Sequence, residues 1–187
     1  MRTLRSGVDA VMVGGGTVRA ERLSLGLDPD HHGPVPLGVI VTNTGDVPLE
    51  RNVTLDHRQD MLVLLSEDSG DAVRSRFGHL TQIRHLPADE SGAIDLAGAM
   101  RTLKSDYGVS RLLLEGGPTL NHAVVSDNLA NELFLTLAPA LLGGSGTQDT
   151  PSILKGPLKD PRDLELLSAH LSGDELFLRY QIKAHRR

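Results

Sequence analysis

Two glycine-bared turns and one carboxylate are the residues of this sequence best placed to do chemistry. The stretch VMVGGGTVRAE (11–21) runs from an apolar strand through three glycines into a helical segment, and RLLLEGGPTLNHAVV (111–125) repeats the device. A helix start presents unpaired N–H groups and the positive end of a dipole, and glycine lets an anion approach that backbone closely. In an open α/β sheet, ligands collect at the carboxyl ends of strands, where both turns fall. The second turn carries Pro118, which has no N–H, so Thr119 and Leu120 are its expected backbone donors. A tight strand-to-helix turn can also need glycine for sterics alone. Glu115 ends an apolar run, where a buried charge is costly without a partner. It is either a strand end emerging into solvent or a carboxylate aimed at a ligand.

Other familiar devices fail on inspection. In GGGTVR, Arg19 stands where the third glycine of G-x-G-x-x-G belongs, and no glycine turn is followed by Lys-Ser or Lys-Thr. GGSGT (143–147) ends on Thr147 and so misses G-x-S-x-G. His31 and His32 lie in a Pro/Asp-rich loop without a ligand at useful spacing, and His122 reads as helix surface. No metal site is expected. The absence of Cys removes disulfides, cysteine nucleophiles and thiolate metal sites, and it fits a reducing cytoplasm. A net charge of −5 and aromatics at 3% leave neither the electrostatic footprint nor the stacking platform of a nucleic-acid binder. No stretch approaches the roughly 18 apolar residues of a membrane span, and MRTLRSG lacks a signal-peptide core.

The elements that must position these residues alternate. The pattern predicts strands at 8–13, 37–42, 61–66, 81–86 and 111–117, with helices at 17–23, 71–77, 94–108 and 118–128 between them. Leu96, Met100 and Leu103 mark the buried face of the third helix, which stops at Gly108. Three strands close the chain, at 132–139, 164–171 and 175–183. Near-continuous apolar strands between helices imply a parallel sheet covered on both faces. Residues 1–187 are expected to form one domain, a three-layer α/β fold with a mostly parallel central sheet and antiparallel C-terminal strands.

The motifs VGGGTVRAE and LLLEGGPTLNHAVV…NELFLTLAPALLGG together resemble the reductase domain of riboflavin biosynthesis, within the dihydrofolate-reductase-like superfamily. The likeness runs from about Arg5 to the C-terminus. It implies a homodimeric enzyme that uses NADPH to reduce the ribosyl group of 5-amino-6-(5-phosphoribosylamino)uracil, or of a related pyrimidine or pterin, to ribityl. It assigns cofactor contacts to Gly15, Gly16, Thr17, Glu21 and Asn43. It assigns further ones to Gly116, Gly117, Pro118, Thr119, Leu120 and Asn121, in a turn that runs on to Ala123. Arg5, Leu25 and Glu115 match substrate-contacting positions. The TNT sequence at 42–44 offers no carboxylate to a ribose, which suits a 2′-phosphate. No catalytic nucleophile is expected, because the hydride belongs to the cofactor.

Three departures accompany the resemblance. Where the family carries a phosphate-binding Arg, this chain has Asp28, with Arg19 and Arg22 as nearby cations. The family's first strand and helix, ahead of the counterpart of Arg5, are not in this sequence, so the fold is expected to lack that strand. The fused deaminase of bifunctional relatives needs a P-C-x-x-C zinc motif that this sequence does not supply. A non-catalytic dimeric relative is the alternative reading, with the C-terminal strands as the expected dimer surface.

Overall fold

The computed structural model describes residues 2–21, 25–28, 30–47, 58–69, 81–89, 92–141 and 152–183. The expected helix at 71–77, the GGSGT segment and Arg22 lie outside them. The chain divides into two compact units, Met1–Leu120 and Asn121–Arg187.

The first unit holds helix α1 (Arg2–Arg5), strand β1 (Ala10–Gly14), helix α2 (Gly15–Ala20), and strands β2 (Leu37–Thr42), β3 (Met61–Ser66) and β4 (Thr81–Leu86). Helix α3 (Leu96–Tyr107), strand β5 (Leu112–Leu114) and the start of helix α4 (Pro118–Ser126) follow. Its five strands form one wholly parallel sheet in the order β4-β3-β2-β1-β5. Every residue of β3 is buried, and Val11, Met12, Val39, Ile40, Leu62 and Leu64 have no exposed surface. Successive side chains point to opposite faces, so this burial means that both faces are covered. Val11, Val13, Ile40, Met61, Val63 and Leu65 pack with Val18 of α2 and with Leu25 in one cluster.

Helix α3 is fixed at both ends by its own sequence. The Asp95 carboxylate accepts from the Gly98 N–H at 2.9 Å, and Gly108 closes the helix in the left-handed region. Its buried face is Leu96, Ala99 and Leu103, with Met100 at the margin instead of in the centre as its spacing suggested.

The second unit contains strands β6 (Glu132–Leu137), β7 (Leu164–Ser172) and β8 (Glu175–Ile182) in a sheet of their own, order β6-β8-β7, both pairings antiparallel. The predicted antiparallel C-terminal strands are therefore present. Leu133, Leu135 and Leu137 oppose Tyr180, Leu178 and Leu176, which in turn oppose Leu166, Ala169 and Leu171. A register shift between Leu166 and Ser168 keeps Ala169 and Leu171 on the face of Leu164 and Leu166. One face of this sheet is thus apolar from edge to edge.

Candidate functional site

The two glycine turns meet. Strand β1 pairs with β5 through Ala10↔Leu112 and Met12↔Leu114, so both carboxyl ends emerge side by side. The pairing continues past the strands: the Glu115 N–H donates to the Met12 carbonyl at 2.9 Å, and the Gly14 N–H to the Gly116 carbonyl at 3.1 Å. Gly117 sits at φ +95°, and a Cβ there would stand 2.6 Å from Thr17 Oγ1. That contact requires glycine twice over, for its dihedral and for its lack of a side chain. The opposite ends of the strands are tied by Asp9, whose carboxylate accepts from the N–H groups of Arg111 at 2.7 Å and Ser110 at 2.9 Å. These backbone bonds, Arg111's first, hold its carboxyl below the usual range.

The three glycines of the first turn have different places from those expected. Helix α2 begins at Gly15, so Gly14 is its N-cap and Gly15 and Gly16 are inside its first turn. Gly15 is buried against β2: a Cβ there would lie 2.9 Å from Thr42 Cβ. Its smallness therefore serves the packing of α2 on the neighbouring strand, while Gly16 is exposed. Glu21 is exposed at the end of α2 and donates its N–H to Thr17.

Around the second turn, Gly116 and Gly117 both have φ near +100° (101° and 95°) and lead into α4. The N–H groups of Thr119 and Leu120 lie in the first turn of that helix and have no intrahelical acceptor. Pro118 and Thr119 are exposed and Leu120 is buried. Asn121 is the first residue of the second unit, and its side chain donates to the Ile153 carbonyl at 3.0 Å. Asn43, after β2, accepts on its side-chain oxygen from the Ile94 N–H at 3.3 Å.

Arg5 and Glu115 are brought together as a bidentate ion pair: Nε to Oε1 and Nη2 to Oε2, each 2.5 Å. Both side chains are nearly buried, at 10% and 6% exposure. Arg5 also donates from Nη1 to the Gly26 carbonyl at 2.8 Å. The partner that a buried Glu115 demanded is thus Arg5, which sequence could not reveal across 110 residues. Leu25, expected at the substrate, has no exposed surface and belongs to the apolar cluster, so its side chain is not presented to a ligand. Asp28 pairs with Arg2, and its carbonyl accepts from Arg58. Sequence reasoning also missed the reach of Arg19, whose Nη1 donates to the Asp46 carbonyl at 2.5 Å in the turn after β2. Among the described residues no group of three or more His, Cys, Asp or Glu side chains could hold a metal ion. None of their helices is long and apolar enough to cross a membrane.

A parallel sheet whose adjacent strands β1 and β5 both end in glycine turns makes this an α/β protein with a strand-end crevice of the kind that takes ligands. The fold is shared with a pyrimidine reductase-like protein of Corynebacterium diphtheriae, at a TM-score of 0.77 and 19% identity over 98% of this chain and 79% of that one. It is shared too with RibD of Acinetobacter baumannii, at 0.76 and 20% identity over 97% of this chain, which spans only 49% of that longer protein. By sequence, the chain is 28% identical over 186 residues to the 2,5-diamino-6-ribosylamino-4(3H)-pyrimidinone 5′-phosphate reductase of Methanothermobacter thermautotrophicus, covering 82% of it. The like-named protein of Aquifex aeolicus is 27% identical over 189 residues. Residues 1–176 match the RibD C-terminal domain, and the chain belongs to that family of riboflavin-biosynthesis reductases.

Proposed function

We propose that this chain reduces a ribosylaminopyrimidine 5′-phosphate to its ribitylamino product with NADPH, as a cytoplasmic homodimer. The observation that carries the reading is the meeting of the turns, with Thr17 Oγ1 at the place a Gly117 side chain would fill. Two positive-φ glycines, the first-turn N–H groups of α4, which have no intrahelical acceptor, and the Thr17 and Thr119 hydroxyls make a donor-rich, side-chain-poor cradle suited to a pyrophosphate. When bound, the nicotinamide supplies a hydride to the ribosyl C1′, and a proton completes the opened sugar's hydroxyl. The chain's own residues orient the reactants. Arg5 fixes the Glu115 carboxylate beside the second turn and, through Gly26, holds the segment that follows Leu25. A substrate that reaches Glu115 shares it with Arg5, so the pair sets where the pyrimidine lies.

The names of the relatives and the resemblance in the motifs point to two pyrimidines, which differ in a 2-amino or a 2-oxo group. Asp28 stands at the family's phosphate-binding position with its charge met by Arg2. The test is NADPH oxidation, followed by absorbance, with each pyrimidine as the 5′-phosphate and as the free ribosyl compound. Turnover of one phosphorylated pyrimidine with a ribityl product supports the reading. No oxidation with any of the four, by protein that remains folded, removes it in favour of a non-catalytic relative.

The homodimer is supported by the apolar face of the C-terminal sheet, where Leu137, Leu166 and Leu171 are 56%, 53% and 65% exposed. Contiguous apolar surface of this kind marks an interaction site. Sedimentation of the wild type as a dimer and of Leu166→Asp as a monomer is the expected outcome. A monomeric wild type at assay concentration contradicts it.

A further inference from the structure

Arg19 is the side chain best placed to choose between the two nicotinamide dinucleotides. It lies on α2 immediately beyond the first glycine turn, and it is exposed. Its guanidinium crosses to the turn after β2, where Nη1 donates to the Asp46 carbonyl at 2.5 Å. On the way it passes Gly16, where a Cβ would stand 3.9 Å from Nη2. The guanidinium is therefore held at one point, with further N–H donors to offer.

The turn it reaches is rich in donors. The Asn43 side-chain oxygen is occupied by the Ile94 N–H, which leaves its amide hydrogens to point elsewhere. The Thr44 hydroxyl oxygen accepts from the Asp46 N–H at 3.3 Å, so its proton is available to an outside acceptor. Thr42, by contrast, is buried and bonded to the Gly45 N–H. In parallel sheets that bind dinucleotides, the end of the strand beside the glycine turn reads the adenosine ribose: a carboxylate there takes a 2′-hydroxyl, an Arg a 2′-phosphate. Here β2 is that strand, being the parallel neighbour of β1. Among the described residues of the turn, the Asp46 carboxylate is the one negative group, two residues past Thr44, and it opposes an anion where Arg19 attracts one.

We propose that Arg19, with Asn43 and Thr44, binds the 2′-phosphate of NADPH and sets the preference for NADPH over NADH; this rests on the nicotinamide reading above. The test compares the affinities of NADPH and NADH for wild type, Arg19→Ala and Arg19→Lys by nicotinamide fluorescence. Competition by adenosine 2′,5′-bisphosphate and by AMP serves as the fragment version of the comparison. Arg19→Ala is expected to weaken NADPH and the bisphosphate about 10- to 100-fold, the range for a charge-assisted bond. NADH and AMP should stay within about twofold, and Arg19→Lys should recover part of the loss, because a point charge replaces a fork. A purely structural role for Arg19 would weaken both dinucleotides alike, and that result overturns the proposal. So does an unchanged NADPH affinity in Arg19→Ala, or a wild type that binds the two dinucleotides equally. A wild type that binds neither removes the nicotinamide reading itself, and this inference with it.

Discussion

The two sheets of the molecule handle apolar residues in opposite ways. In the parallel sheet, β3 reads MLVLLS and every one of its residues is buried. In the antiparallel sheet, β7 reads LELLSAHLS, with four leucines, and every one of its residues is exposed. The strands of the first unit are covered on both faces, and the residues of its apolar cluster all come from that unit. Among the described residues of the second unit, Val124 alone is a buried hydrophobic side chain beyond residue 120. An apolar face left this open is a surface waiting for a cover, which is why the homodimer reading attaches to this sheet. The lesson is that hydrophobicity alone does not distinguish a core strand from an interface strand. The rhythm does: an unbroken run in one, an alternation interrupted at a bulge in the other.

The most severe way to test the self-sufficiency of the first unit is to break its buried ion pair. Glu115→Ala leaves the Arg5 guanidinium nearly buried without its carboxylate and should cost about 3–5 kcal/mol of stability. The double change Arg5→Met with Glu115→Leu should recover most of that stability while activity stays lost. Urea unfolding and NADPH-oxidation assays on the same proteins read both effects. Equal stability of Glu115→Ala and wild type would mean that the pair does not hold the fold.

Next in size is a matched pair of truncations. Leu65→Ala, in the central cluster, should cost about 2–5 kcal/mol, and the loss should not depend on protein concentration. If the proposed homodimer covers Leu166, Leu166→Ala should show a smaller loss that shrinks as the protein is diluted, because the dimer that buries it dissociates. Thermal melts across a hundredfold range of concentration make the comparison. Identical concentration dependence in the two variants would erase the distinction between the sheets.

The smallest effect belongs to Asp9, at the amino end of β1. Its folded-state pKa is depressed by the Arg111 and Ser110 N–H groups, so its contribution is present above its unfolded value, about 3.9, and is lost as pH falls through the folded one. Asp9→Asn should therefore be slightly less stable than wild type at neutral pH, and the difference should shrink on acidification below about pH 4. A difference that stays constant down to pH 2 would show that the charge plays no part.

Much of this architecture was legible in the residues, for physical reasons that differ by element. Strands β2 and β3 fall on the predicted 37–42 and 61–66 because strands covered on both faces are uniformly apolar. Helix α3 was legible from its spacing and from Gly108. The two glycine turns of the candidate site were legible in sequence, but their meeting and the places of single glycines were not. Gly15 is small because of Thr42, a residue of the adjacent strand, and only the folded register brings the two together. Leu25 was expected at a ligand and lies in the core, packed with residues of β1 and β3 that local patterning does not pair with it. The Arg5–Glu115 pair joins charges 110 positions apart, and local patterning contains no trace of it.

The central claim is that the junction of the two turns holds the nicotinamide dinucleotide. The most direct measurement is a titration with NADPH, followed by nicotinamide fluorescence, of wild type and of Gly117→Ala shown to be folded by circular dichroism. A methyl at 117 must fit against Thr17 Oγ1 at 2.6 Å from φ +95°, so the turns should part. Saturable binding by wild type, and at least about a tenfold loss in the variant, is the predicted result. Equal affinities in the two proteins, or no binding by wild type, would contradict it.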